Sequence, residues 1–155
     1  METNKFKGAV QAGLSELINY IVLYMQITEE QCQKWSNNPD SFVDEEDEDT
    51  FAYSVRISSQ DLLMALCEEF EVECCASLAQ AVTKHVTEAV TARSQGREEW
   101  WKVHEAAMLA LGSAQEVIES QIKEGNVQFD ISSLKTNVFQ PRPPISSRQV
   151  LVGGE

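Results

Sequence analysis

Residues 73–96, Glu-Cys-Cys-Ala-Ser-Leu-Ala-Gln-Ala-Val-Thr-Lys-His-Val-Thr-Glu-Ala-Val-Thr-Ala-Arg-Ser-Gln-Gly, decide the fold class. Cys75, Leu78, Ala79, Val82, Val86, Ala89 and Val90 recur at steps of three and four, the period of a helix that turns one stripe toward a core. Ser94-Gln95-Gly96 supplies the break that ends it. Nowhere does the chain sustain the two-residue alternation of a half-buried strand, so the reading is all-α.

Helical spacing continues on both sides. Upstream, Val55 to Glu71 places Ile57, Leu62, Leu63, Leu66 and Phe70 on a broad apolar face. Further back, Phe6, Val10, Leu14, Leu17, Ile18, Ile21 and Met25 mark a first helix. Thr28 with Gln31 has the spacing of a capping box, which predicts a short second helix carrying Cys32 and Trp35 and ending before Pro39. Downstream, a helix is predicted from about Glu98, with Trp101, His104, Met108, Leu111, Gln115 and Ile118 on one face and Gly125 placed to end it. Adjacent residues on a helix point about 100° apart, so Trp101 is expected in the core and Trp100 at its margin. His104, on the same face, is expected to be a hydrogen-bonded structural histidine.

The last two predicted helices and their turn occupy about fifty residues, near the length of the longest helical-pair repeats, so a solenoid is expected. Terminal repeats need a polar outer face, and the first helix is apolar within six residues of Met1, so the chain reads as an interior slice. Val127, Phe129, Ile131 and Leu134 look like the lead-in to another helix, which Gln140-Pro141-Arg142-Pro143-Pro144 stops. The tail beyond is expected to be disordered.

Charge points to the partner. The chain of 155 residues carries a formal −13, and −12 of it lies between Glu29 and Glu73, where fourteen acids face only Lys34 and Arg56. Its centre is the run Asp44, Glu45, Glu46, Asp47, Glu48, Asp49. Six adjacent carboxylates repel one another and cannot be buried unpaired, so they belong in solvent or against cations. Trp35 and Phe42 before the run, and Phe51 and Tyr53 after it, are expected to anchor an acidic loop spanning about 37–54. Nucleic acid and anionic membrane are opposed by such a field, whereas a basic protein is attracted.

Other classes find little support. The four cysteines, Cys32, Cys67, Cys74 and Cys75, lack the spacing of a secreted disulfide framework or a zinc site, and the N-terminus lacks a signal-peptide pattern. An intracellular, soluble protein is expected, with the cysteines packed in the core. No phosphate-cradling glycine loop, GxSxG or HExxH is present, and carboxylates in an open run lack the burial that separates acid from base. We expect neither catalytic residues nor a metal or cofactor.

Gln26-Ile27-Thr28-Glu29-Glu30-Gln31, Trp35, Asn38-Pro39, Phe42-Val43, the acid run, Val55-Arg56-Ile57 and Gln60-Asp61-Leu62-Leu63 resemble the central part of an importin-β (karyopherin-β) nuclear transport receptor. Trp100 to Ala106 and Met108 to Ser113 resemble the same family, over about residues 3–138 in all. The resemblance implies a HEAT-repeat segment of antiparallel helix pairs, with residues 139–155 outside it. It also implies Ran GTPase as a partner, with nucleoporins and basic cargo such as core histones and ribosomal proteins, in cytoplasm and nucleus. Asp44 to Asp49 match the family's acidic inter-helix loop, which contacts Ran or cargo. The alternative is a structurally incomplete fragment without transport activity of its own.

Overall fold

The computed structural model describes residues 2–46 and 54–126, with side chains from 5 to 43 and from 54 to 126. The described residues form helices α1 (Glu2–Tyr24), α2 (Glu29–Asn37), α3 (Asp40–Glu46), α4 (Val55–Glu69), α5 (Glu71–Ser94), α6 (Trp100–Ser113) and α7 (Gln115–Lys123), with no strand among them. Residue 1, residues 47–53 and the expected tail at 139–155 lie outside the described residues, as does the proposed helical lead-in from Val127 to Leu134.

Side-chain contacts give the directions of the helices. Lys7 near the start of α1 pairs with Glu69 at the end of α4, while Arg56 at the start of α4 reaches the Met25 carbonyl just past α1. Those two helices are therefore antiparallel. Arg93 of α5 stacks on Trp100 of α6 with 4.9 Å to the ring centroid, and Glu71 at the other end of α5 accepts from Gln121 of α7 at 3.1 Å. This makes a second antiparallel pair. Gln11 donates to Glu73 at 2.6 Å and the buried His85 ring donates from Nε2 to the Asn19 carbonyl at 3.2 Å, so α1 and α5 run in the same sense. Two helix pairs thus stack in one sense, the arrangement expected of consecutive HEAT repeats.

Phe70 is the single residue that links the two pairs along the chain. It ends α4 and precedes α5 with φ −133° and ψ 53°, outside helical geometry, and its side chain is buried. At the other end of α5, Gly96 takes φ +76°, a left-handed conformation that L-residues with a Cβ rarely adopt, and so reverses the chain toward α6.

The core is built from Leu14, Ile18, Ile21, Val22 and Met25 of the first helix and the segment after it, with Leu63 and Leu66 of α4 and Leu78, Val82 and Val86 of α5. Opposite α5, the buried apolar residues of the last pair are mostly small: Ala106, Ala107, Ala110 and Ala114, followed by Ile118. Here the structure corrects the sequence reading. Trp101 is 36% exposed rather than core, whereas Trp100 is half-buried, as expected at the margin. The alanines let α6 approach α5 closely, and the large side chains are displaced to the flanks. The single helix expected from about Glu98 is also divided at Ala114, which has φ −100° and ψ 11°. Gly112 is a weak helix former, and the Ser113 hydroxyl donates back to the Leu109 carbonyl at 2.9 Å, a bond that favours bending.

On α1 and α4, Phe6, Leu17 and Leu62 are exposed where a core position was expected. Leu17, Tyr20 and Tyr24 form a second stripe on α1, roughly a third of a turn from the buried one. No helix among the described residues is long and apolar enough to cross a membrane.

Candidate basic-protein interface

Met25 and Arg56 mark the two ends of an insert. Arg56 Nη1 donates to the Met25 carbonyl at 2.5 Å, so the chain leaves α1 and returns into α4 at one place. Residues 26–55 therefore leave and rejoin the first helix pair at its end, and of them 26–46 and 54–55 are described.

Within the insert, local hydrogen bonds set the structure. The Thr28 hydroxyl accepts from the Gln31 backbone N–H at 3.2 Å, and the Gln31 side chain accepts from the Thr28 backbone N–H at 3.0 Å, completing the predicted capping box of α2. Glu29 and Glu30 in the first turn complement the helix dipole. A helix also follows Pro39, so residues 40–46 of the expected loop over 37–54 are helical. The Asn38 side chain accepts from the Asp40 N–H at 3.2 Å, and Ser41 donates to the Asn38 carbonyl, which together start α3. Proline before a first helical turn costs no hydrogen bond.

The Trp35 and Phe42 rings meet edge to face, with centroids 5.1 Å apart at 88°. These two anchors tie α2 to α3. No residue of α2 is buried, and Phe42 remains 46% exposed. Asp44, Glu45 and Glu46 fall in the last turn of α3, and no basic residue shares that turn. A helix C-terminus carries partial negative charge, so three acids there favour a nearby cation. Asp47, Glu48 and Asp49, and the anchors Phe51 and Tyr53, lie outside the described residues.

Two basic residues hold the insert to the repeats. Arg56 forms a two-pronged pair with Glu105 of α6, at 2.8 and 2.6 Å. The Lys102 ammonium, on a buried residue, donates to Glu29 at 3.0 Å and to Glu99 at 3.4 Å, and sits 6.0 Å from the Trp101 ring centroid. The hydrogen bond from Lys102 holds the Glu29 carboxyl below its usual range, and the bond to Glu29 holds Lys102 above its own. The functional reading of the sequence gave no role to Lys102 or Arg56. Arg56 carried a signal as one of only two bases in the acidic segment, whereas Lys102 carried none, because its partner is 73 residues away.

His104 departs from expectation. Its Nδ1 is buried without a hydrogen-bond partner, while the ring meets Trp100 edge to face at 5.8 Å. Burial, and then the nearby Arg93 charge, push its pKa below the usual histidine value. Among the described residues no group of three or more His, Cys, Asp or Glu side chains is placed to hold a metal ion.

The family model described as importin-9 central HEAT repeats matches residues 9–155. The chain belongs to that importin-9 family. An importin-9 of Drosophila melanogaster is 31% identical over 150 residues, which cover 94% of this chain and 14% of the relative. Thus the chain spans about one-seventh of that importin-9. The family match also runs through residues 139–155, the segment that the sequence reading set outside the repeats. Within the importin-9 frame, the insert with the acid run lies between the two helices of one repeat, α1 and α4, whereas the repeat α5 to α7 is closed by the short turn at Gly96.

Proposed function

We propose that this chain is the part of a nuclear transport receptor that presents an acidic insert to a basic protein cargo, such as core histones or ribosomal proteins, and to Ran GTPase. One observation carries the reading: the insert leaves and rejoins the repeat at the Met25–Arg56 contact and ends α3 with Asp44, Glu45 and Glu46 at the helix's negative end. Family membership supports the transport role, including contacts with nucleoporins and movement between cytoplasm and nucleus. Exposed charges of this kind act through the long-range field, which is screened over about 8 Å at physiological ionic strength.

The test is a titration of the chain with a labelled core histone dimer at two salt concentrations, beside a variant with Asp44 to Asp49 changed to Asn and Gln. Binding that weakens steeply with salt, with association slowed on the order of tenfold in the variant, supports an autonomous cargo contact. Equal, weak binding by both chains overturns it. That result favours the second reading, a fragment without transport activity of its own. The exposed stripe Leu17, Tyr20 and Tyr24 supports that reading, since an uncovered apolar face promotes concentration-dependent self-association.

A further inference from the structure

Two buried thiols meet at the joint between the repeats. Cys67 lies in the last turns of α4 and Cys74 in the first turn of α5, with the Phe70 joint between them, and their sulfurs are 2.7 Å apart. On a continuous helix, residues seven apart would be separated by about 10.5 Å of rise, beyond the span a disulfide bridges. Only the non-helical backbone of Phe70, at φ −133° and ψ 53°, folds α5 back so that the sulfurs touch. The contact is thus a product of the repeat architecture.

We propose that Cys67 and Cys74 are a redox pair that closes a disulfide across this joint when the chain meets a peroxide. Cys67 reacts first, because the contact with Cys74 lowers its pKa, while the same contact and burial raise that of Cys74. The Cys67 thiolate attacks one oxygen of hydrogen peroxide, the O–O bond breaks, and the departing hydroxide takes up the thiol's proton as water. Cys74 sulfur then attacks the resulting sulfenic sulfur, the S–O bond breaks, and a second water leaves with the Cys74 proton. Two thiols are oxidised to one disulfide as one peroxide is reduced to two waters. Neighbouring Cys75 is also buried, but burial pushes its pKa up to about 11, so it stays a neutral thiol. The new bond ties the end of α4 to the start of α5 and adds a covalent restraint between two helix pairs linked along the chain through Phe70 and held by noncovalent contacts such as Arg56–Glu105. Repeats in a solenoid touch only their neighbours, so stiffening one joint alters the curvature of the stack.

Mass spectrometry of the full folded chain tests the proposal. The reduced chain is treated with graded hydrogen peroxide, quenched, alkylated under denaturing conditions and cut with a glutamyl endopeptidase. Glu68, Glu69, Glu71 and Glu73 lie between the two cysteines, so their peptides stay together only if the sulfurs are joined. The expected result is a loss of two hydrogens from the intact mass and a linked Cys67–Cys74 product, absent in Cys67→Ala and Cys74→Ala but kept in Cys32→Ala and Cys75→Ala. The oxidised chain should also unfold at higher urea, with dithiothreitol restoring the reduced midpoint. Linkage through Cys32 or Cys75 overturns the proposal, as do freely alkylated Cys67 and Cys74 at peroxide levels that oxidise the half-exposed Cys32. An unchanged urea midpoint overturns the restraint on the joint. If an alanine variant loses helicity, mapping on the unmodified chain decides the pairing.

Discussion

Arg56 and Glu105 face each other across the two helix pairs through two parallel hydrogen bonds, Nη1 to Oε2 at 2.8 Å and Nη2 to Oε1 at 2.6 Å. The same guanidinium closes the base of the acidic insert through the Met25 carbonyl. One side chain therefore joins the segment after α1, α4 and α6, using the parallel donors of a planar guanidinium fork.

Replacing Arg56 with alanine strips a donor from the Met25 carbonyl and a cation from Glu105. The expected loss is about 2 kcal/mol, since the Arg56 side chain is only 13% exposed. Arg56→Lys should recover part of this, because a lysine cannot make the two-pronged contact. Urea denaturation measures both. A loss within about 0.5 kcal/mol would reduce the pair to an ordinary surface contact.

Lys102 should control the insert without controlling the repeats. Helix α2 buries no residue, and its first turn is fastened through Glu29 to Lys102. In Lys102→Ala, amide hydrogen exchange should accelerate across residues 29–46 and stay unchanged in α5. Uniform acceleration along the chain would show instead that Lys102 supports the core.

Ala107 is fully buried, whereas Trp101 is over a third exposed. Ala107→Leu should cost about 1–3 kcal/mol by forcing α6 away from its neighbours. Trp101→Ala should cost less, because the ring already meets solvent. A larger loss at Trp101 than at Ala107 would return the helix face to the orientation that the large apolar residues suggest.

His104 gives a pH dependence with a defined sign. Burial and Arg93 lower its folded pKa below 6.5, so between those two values the unfolded chain binds more protons than the folded one. Its contribution is fully present above about 6.5 and is lost as pH falls toward the folded pKa. Chemical denaturation at pH 7 and pH 5 should show a decrease that is smaller in His104→Gln. An equal decrease in both chains would assign the effect to other groups.

The helices and their caps were legible because their causes are local. Each backbone bond spans four residues, and the Thr28–Gln31 capping box and the Gly96 stop act within one turn. The concentration of charge between Glu29 and Glu73 was legible too, since it needs only the order of residues. Helix α3 was missed because Pro39, read as a stop, also suits the residue before a first turn. What the sequence by itself determined is an all-helical chain with an acidic insert between two helices. The tertiary structure alone decided which stripe of residues 100–123 turns inward, because alanines and large apolar residues both repeat at helical spacing and only the approach of α5 selects between them. It alone also brought Arg56 to Glu105 and Cys67 to Cys74. The first contact joins residues 49 apart, and the second depends on the non-helical turn at Phe70.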